Sequence, residues 1–373
     1  MKVLFACGGT GGHINPAIAV AKVLRERRPD AEICFAGAKS GMETRLVPAE
    51  GFRLECVDIE GFDRRVSANS IVHNVRNAGK IAASLKWAKK LIDEYKPDVV
   101  LGTGGYASFP VLYGAARKKI PTLIHESNAY PGLTTRILSK YVSKVLVNFK
   151  ASAEFFSCKE KVSVVGTPIR EDMIYKDKNE ARAELGLDAR PLIVSFWGSL
   201  GAREMNKHIA EFFRLECKND AWQHIHATGQ FGYKWMPDYV REQGIDLKAH
   251  KNIDMRDYIT DMPRVMAAAD LIMCRGGAST LSEITALGKP AIIVPSPNVS
   301  ANHQEKNARE LEKVGGAVVV LEKDCNGELL YKTAGSILKD RERLKKMSAS
   351  LNSIAILDAT QRIYSELCDL CKG

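Results

Sequence analysis

No apolar run in this sequence is long enough to cross a bilayer as a helix. The longest uncharged stretch, Val99 to Ala116, is broken by Gly102, Gly104, Gly105, Pro110 and Gly114, and reads as strand, turn and helix. The apolar run after Met1-Lys2 stops at Gly8-Gly9, too short for a secretory core, so neither export nor membrane insertion is expected. The nine cysteines show no pairing framework, and several sit in apolar runs such as Val3-Leu4-Phe5-Ala6-Cys7. A reduced, cytoplasmic protein is expected. Cys368-Asp-Leu-Cys371 has no second pair and reads as two surface thiols rather than a zinc site. His73, His208, His224, His226 and His250 lack metal spacing; His224 and His226 share one face of a strand, but no third ligand is evident. No metal and no cofactor are expected. The dinucleotide pattern G-x-G-x-x-G and the Walker A pattern are both missing. That argues against a dinucleotide-dependent oxidoreductase.

What is present is an ordinary globular composition: 373 residues, 45% hydrophobic and 26% charged, long enough for two or three domains. Lys and Arg outnumber Asp and Glu, 54 to 44, a net charge of +10. Such a surplus attracts phosphates, nucleic acid or an anionic membrane surface without choosing among them.

Short β-rich runs alternate with helical patterns along the whole chain. The expected strands are Val3–Cys7, Glu32–Phe35, Arg53–Val57, Val99–Leu101, Thr122–His125, Lys144–Val147 and Val162–Val165. A second series comprises Leu192–Phe196, Gln223–Ala227, Lys251–Met255, Leu271–Cys274, Ala291–Val294 and Ala317–Leu321. Most are unbroken apolar runs, the pattern of parallel strands covered on both faces. Each half opens with a strand entering a glycine loop, Cys7-Gly-Gly-Thr-Gly-Gly-His13 and Trp197-Gly-Ser-Leu-Gly-Ala202. The expected fold class is therefore α/β, with two doubly wound, Rossmann-like domains joined near residues 166–172 and a ligand in the cleft between them.

Four loops carry the chemistry. In Gly8-Gly-Thr-Gly-Gly-His13 the glycines let backbone N–H groups approach a ligand, with Asn15 expected as N-cap and Pro16 as first helical residue. Gly102-Thr-Gly-Gly-Tyr106 repeats the device. His125-Glu-Ser-Asn-Ala-Tyr-Pro-Gly132 clusters polar side chains at a strand end. A capped turn would explain Asn128 and Pro131 but not His125 and Glu126. Leu271–Cys274 runs into Arg275-Gly-Gly-Ala-Ser-Thr-Leu-Ser-Glu283, where N–H groups of Ala278, Ser279 and Thr280 suit a diphosphate and Glu283 suits the vicinal hydroxyls of a ribose. His303-Gln304 suits sugar hydroxyls. Residues 76–92 read as a helix with a stripe of Ile81, Leu85, Ala88 and Ile92. Trp87 sits with Arg76, Lys80 and Lys90 on the other side, as a solvated basic face or a membrane anchor.

Taken in order, GGTGGHINPA, GTGGY, HESNAYPG, GTPIR, GSLGA, YITDM, CRGGASTLSEI and HQEKNA resemble one family. It is the family of UDP-N-acetylglucosamine:undecaprenyl-pyrophosphoryl-muramoylpentapeptide N-acetylglucosaminyltransferases (the MurG family), and the resemblance runs from Gly8 to about Gly316. It implies a GT-B glycosyltransferase fold. Residues 1–165 would form an acceptor and membrane-facing domain, and 166–340 a UDP-sugar domain. A terminal helix, about 341–373, would pack back on the first domain. It implies inverting, β-1,4 transfer of N-acetylglucosamine to a lipid-linked muramoylpentapeptide in peptidoglycan synthesis. The site would be peripheral, on the cytoplasmic face of the cell membrane, with an anionic lipid surface and other cell-wall synthesis proteins as partners and no nucleic acid.

The resemblance also implies residue roles. His13 would be the general base, and Thr10, Gly11 and Gly12 would face donor sugar and acceptor. Asn128, His303 and Gln304 would hold the sugar. Arg170 and Ser199 would bind on the phosphate side and Ile259 would read uracil through its main chain. Ala278, Ser279, Thr280, Leu281 and Ser282 would cradle the diphosphate, and Glu283 would hold the ribose. Gly104, Gly105, Tyr106 and Glu126 are placed on the acceptor side. Trp197, Leu200, Ser127 and His303 depart from the usual pattern, which has Gly, Gln, Gln and Gln there. A related lipid glycosyltransferase using diacylglycerol and a UDP-sugar 2-epimerase are the nearest rivals. A nonenzymatic nucleotide sensor is a more remote one.

Overall fold

The structure is a computed structural model that describes residues 1–59, 68–174 and 176–371, with the side chains of 68–78 and of 171 left out. Arg76, expected on the basic face, thus lies outside the described side chains, and Tyr175 outside the described residues. The chain forms two compact units, residues 1–169 with 358–373, and residues 170–357.

The first unit runs β1 (Lys2–Cys7), α1 (Gly11–Arg27), β2 (Glu32–Ala38), α2 (Glu43–Ala49), β3 (Arg53–Val57), α3 (Ala68–Tyr95), β4 (Val99–Gly104), α4 (Ser108–Arg117), β5 (Thr122–Glu126), α5 (Leu133–Leu138), β6 (Lys144–Val147) and β7 (Val162–Val164). The second runs α6 (Glu171–Ile174), α7 (Lys178–Glu184), β8 (Leu192–Phe196), α8 (Arg203–Asn219), β9 (Gln223–Ala227), α9 (Met236–Glu242), β10 (Ile253–Arg256), α10 (Met262–Ala268), β11 (Leu271–Cys274), α11 (Ala278–Ala286), β12 (Ala291–Ile293), α12 (His303–Lys313), β13 (Ala317–Val319), α13 (Gly327–Leu338) and α14 (Arg341–Ile354). The chain then returns to the first unit as α15 (Ala359–Leu370).

Both sheets are parallel and doubly wound. Their strand orders are β3-β2-β1-β4-β5-β6-β7 and β10-β9-β8-β11-β12-β13. The order reverses between β1 and β4 in the first and between β8 and β11 in the second, the positions where such sheets bind ligands at their strand carboxyl ends. All four strands that flank these points lead into the motif loops. In β1, Val3, Phe5 and Cys7 pack with α1 and with Ile363 and Leu367 of α15, while Leu4 and Ala6 pack with Ile92 of α3 and Leu112 of α4. Both faces are apolar, which explains the unbroken hydrophobic runs. The expected strands all form; β10 begins two residues later than read, at Ile253.

Three expectations change. The segment 341–373 is not one helix but two, because the chain leaves the helix at Ala355. α14 packs on α11 and α13 of the second unit, and only α15 packs on α1. Cys368, read as a surface thiol, is buried in the first core, and Cys371 is half-buried beside it. Trp87 does not stand on a solvated face. Leu91, one turn on, is buried, so the apolar stripe of α3 is wider than the spacing of Ile81, Leu85, Ala88 and Ile92 indicates. The indole packs against Ala38, Val57, Ile59 and Ala107, and Lys80 pairs with Asp58 at 3.1 Å.

His224 and His226 form a polar cluster sealed inside the second unit. Ser195 Oγ lies 2.7 Å from His224 Nε2 and 2.7 Å from His226 Nδ1, and His224 Nδ1 lies 2.9 Å from Glu216 Oε2. A carboxylate only accepts, so His224 donates from Nδ1 and its Nε2 takes the serine proton when the ring is neutral. Ser195 then accepts from His226 Nδ1–H. Burial, with His224 nearby, holds His226 well below the usual imidazole range. A base whose pKa falls on folding binds fewer protons folded than unfolded, so stability drops as pH falls below about 6.5. The urea midpoint of the second unit should therefore fall between pH 7.5 and 5.5, read by emission from Trp197, Trp222 and Trp235. His226→Asn should flatten that slope; an unchanged slope would assign the acid sensitivity to other groups of the second unit.

Candidate functional site

In the first unit the site loops are held by backbone contact. Gly105 has φ +84°, and a Cβ there would lie 2.3 Å from the Gly8 carbonyl oxygen. The loops after β1 and β4 therefore touch main chain to main chain, which only glycine permits. Gly104, with φ +111°, leaves room for His13: a Cβ would lie 2.4 Å from its Nδ1. Helix α1 starts at Gly11 with Thr10 as its N-cap, five residues before the expected start, so Gly11, Gly12 and His13 form the first turn. The Thr10 carbonyl accepts from both His13 N and Ile14 N, and Pro16 is carried inside the helix.

His13 is fixed at both ends. Its Nδ1 lies 3.0 Å from the Thr103 carbonyl oxygen, and Thr103 Oγ1 donates to the His13 carbonyl at 2.6 Å. A carbonyl only accepts, so Nδ1 carries the proton and Nε2 is the basic nitrogen. Glu43, which no motif pointed to, anchors the glycine loop from below. Fully buried, it accepts from Gly9 N at 3.0 Å and from Ala38 N at 2.7 Å.

Glu126 and His125 serve the loop that follows β5. Glu126 is buried and accepts from Asn128 N and Nδ2, each at 3.0 Å, and from Gly132 N at 2.9 Å. Its carboxylate presents Asn128 instead of standing open on the acceptor side. His125 is buried with Nε2 2.8 Å from the Gly166 carbonyl, and burial lowers its pKa. Both are thus explained by the folded turn, contrary to the sequence reading. Tyr106 is exposed.

The second unit repeats the backbone device. Gly201 and Gly229, with φ +81° and +78°, approach so closely that a Cβ on either would lie 2.1 Å from the other loop. A pocket of about 420 Å³ opens here, at the carboxyl ends of β8 and β11, and brings together Ser199, Ile259, Thr280 and Gln304. Ile259 is buried and forms part of the pocket wall. Gln304 Oε1 accepts from Ser296 N at 2.9 Å, and His303 Nδ1 lies 2.9 Å from the Ser300 carbonyl. Two residues not assigned above, Trp197 and Arg275, line the same pocket. Their sequence signal was present: a Trp where glycine is usual and an Arg at the end of a buried strand.

Helices α1, α8, α11 and α12 start at Thr10, Ala202, Gly277 and Asn302 without a side-chain cap. Elsewhere α7, α13 and α14 are capped by Asp177, Asn326 and Asp340, while α2, α9, α10 and α15 also start without a side-chain cap. The uncapped first turn of α11 offers the N–H groups of Ala278, Ser279 and Thr280 and a positive helix end to an anion, whereas Leu281 N already donates to the Gly277 carbonyl at 3.0 Å and Ser282 follows it in the helix. Leu281, expected in the diphosphate cradle, is fully buried and its N–H is bonded within the helix, so it presents no group to a ligand. Glu283 lies one turn on. Burial pushes its carboxyl up to about 7, with Arg170 opposing and Asp172 adding to the shift. Arg170 itself is exposed, 3.5 Å from Asp172. Among the described residues no three His, Cys, Asp or Glu side chains are grouped to hold a metal ion. Nor is any described helix long and apolar enough to cross a membrane.

Comparison with known proteins fits this arrangement. The chain matches the glycosyltransferase family 28 N-terminal domain over residues 3–147 and the family 28 C-terminal domain over residues 192–363. It is 45% identical to the UDP-N-acetylglucosamine–N-acetylmuramyl-(pentapeptide) pyrophosphoryl-undecaprenol N-acetylglucosamine transferase of Acetivibrio thermocellus, covering 100% of this chain and 99% of that one. The protein of the same name from Lactococcus lactis subsp. lactis is 38% identical, with 100% of both chains covered. Acinetobacter baumannii MurG superposes with a TM-score of 0.78 at 27% identity, over 99% of each chain. A putative UDP-N-acetylglucosamine 2-epimerase from Listeria monocytogenes shares the fold, with a TM-score of 0.70, at 15% identity. With both halves of one glycosyltransferase family in order and full-length relatives above 30% identity, this chain belongs to glycosyltransferase family 28, among the UDP-N-acetylglucosamine–N-acetylmuramyl-(pentapeptide) pyrophosphoryl-undecaprenol N-acetylglucosamine transferases.

Proposed function

We propose that the chain transfers N-acetylglucosamine from UDP-N-acetylglucosamine to the 4-hydroxyl of undecaprenyl-pyrophosphoryl-N-acetylmuramyl-pentapeptide, inverting the anomeric carbon to a β-1,4 linkage. The observation that carries this reading is the 45% identity to a transferase of that name along the whole chain, so both units are retained together. The acceptor hydroxyl loses its proton to His13 Nε2 as its oxygen bonds to the anomeric carbon. The bond from that carbon to the β-phosphate oxygen breaks, and its electron pair leaves with UDP. The α11 N-terminus, Ser199 and Arg170 stabilise the charge that develops on the diphosphate. Glu283 holds the ribose hydroxyls, Ile259 reads uracil, and Asn128, His303 and Gln304 meet the sugar. Thr10, Gly11 and Gly12, with Gly104, Gly105 and Tyr106, shape the acceptor side.

The test is transfer of labelled N-acetylglucosamine with the muramoylpentapeptide lipid and diacylglycerol offered in parallel. Product with the muramoyl lipid alone is expected. Product with diacylglycerol, or UDP release with neither, moves the assignment to a rival. His13→Ala should lower kcat by roughly 10²–10⁴-fold, the span of a positioned general base, with UDP binding retained. Loss of UDP binding in that variant would make His13 structural.

Glu283 gives a pH signature. Its carboxyl must be ionised to accept from both ribose hydroxyls, and its raised pKa places that change near pH 7. Affinity for uridine, which carries no titrating phosphate, should rise roughly tenfold between pH 6 and pH 8. Glu283→Gln should bind more weakly and without this slope; a sloping Gln variant would assign the titration elsewhere.

We also propose that the chain works at the cytoplasmic membrane face, where the acceptor's lipid lies. Leu133, Ile137 and Tyr141, spaced four apart on and just after α5, are exposed, as is Phe155, and Lys140 and Lys150 are exposed beside them in sequence. Exposed apolar residues flanked by cations suit an anionic lipid surface, and this face replaces Trp87 as the anchor. A variant carrying Ile137→Glu and Lys140→Glu should bind anionic phospholipid vesicles at least fivefold more weakly, about 1 kcal/mol per charge near the surface. Undiminished binding would exclude this face.

A further inference from the structure

Trp197 stands where glycine is usual in the resembling family, directly after β8. Its side chain is 3% exposed within the second core, yet the residue lines the nucleotide-side pocket. The Arg275 guanidinium lies over its ring, 5.9 Å from the centroid. Two further groups brace that guanidinium: Nη1 donates to the Val294 carbonyl at 3.0 Å and to Glu322 Oε2 at 2.5 Å. The brace thus gathers residues that follow β8, β11, β12 and β13. Nε and Nη2 of Arg275 have no partner among the described residues, and Arg275 also lines the pocket.

The indole Nε1–H is buried with no acceptor. A buried donor without a partner is unfavourable, and a phenyl ring would fill the core without it. What indole supplies beyond phenyl is a stronger π-face for a cation. A guanidinium pinned by a ring on one side and a carboxylate on another keeps its remaining N–H groups in place before an anion arrives. Binding then loses less conformational freedom.

We propose that Trp197 is a positioning residue for nucleotide binding: its indole holds the Arg275 guanidinium at the pocket wall and so sets the affinity for the diphosphate of UDP. The proposal rests on the reading of this unit as the UDP-sugar site.

The test compares two apolar variants, Trp197→Phe, which keeps a π-face, and Trp197→Leu, which does not and leaves the larger void. UDP affinity is measured by calorimetry, with the melting temperature followed in parallel. Trp197→Phe should bind UDP within about threefold of the parent. Trp197→Leu should bind roughly three- to thirtyfold more weakly, the span of a partly desolvated cation–π contact. Glu322→Gln, which leaves the core untouched, should weaken UDP in the same direction and keeps the test open should the Leu variant fail to fold. In the parent, UDP should change tryptophan emission, and Trp197→Phe should lose that change. Equal affinity for UDP in Phe, Leu and Gln variants, or an emission change that persists without Trp197, would overturn the proposal. Failure of the parent chain to bind UDP at all would instead remove the nucleotide-site reading, and this proposal with it.

Discussion

Main-chain contact between neighbouring loops is the constraint on which both candidate sites depend. In each sheet, loops that leave two adjacent strands pass within backbone distance, those after β1 and β4 in the first unit and those after β8 and β9 in the second. Gly105 meets Gly8 in the first unit, and Gly201 meets Gly229 in the second. A third contact, Gly276 against the Gln304 main chain, ties the α11 loop to the start of α12. Any side chain at these points would push the loops apart by more than an ångström and displace the first turns of α1, α8 or α11. Gly105, Gly201 and Gly229 also hold positive φ values that glycine adopts without strain. The geometry of both candidate sites is therefore set by missing side chains, and the polar residues follow from it.

Buried polar groups then lock the loops from beneath. Glu43 ties the first glycine loop to the end of β2, Glu126 holds Asn128 and Gly132, and Thr103 fixes both the ring and the backbone of His13. Each is a carboxylate or hydroxyl satisfied by main-chain or amide partners, so little freedom remains in the loop it supports. Helix ends work the other way. The helices that enter the motif loops lack side-chain caps, and their first-turn N–H groups are left for a ligand. Glu283 sits beside such an end, yet burial raises its pKa to about 7. Desolvation outweighs Arg170 there.

The strand pattern was legible because parallel strands covered on both faces read as unbroken apolar runs; Leu4 and Phe5 pack to opposite sides and both are apolar. The motif loops were legible because glycine followed by a helix-opening polar residue has few structural alternatives. Burial of single polar residues was not legible. His125 and Glu126 read as binding groups at a strand end, but Gly166 and the 128–132 loop claim them. Trp87 looked solvent-facing because the stripe was drawn without Leu91. The break at Ala355 was hidden because α14 and α15 each have helical periodicity, and only their packing partners differ.

By itself the sequence determined the α/β class, the two glycine-loop halves, the residue types available for phosphate, ribose and proton transfer, and the family resemblance. These are local properties: apolar runs, glycine spacing and motif order survive in the chain without its fold. Tertiary structure alone decided which glycines touch, which nitrogen of His13 is basic, that Glu43 lies under the first loop, and that Trp197 faces Arg275. Those facts depend on partners up to about a hundred residues apart, brought together by the strand order and its reversal, and no local pattern encodes them.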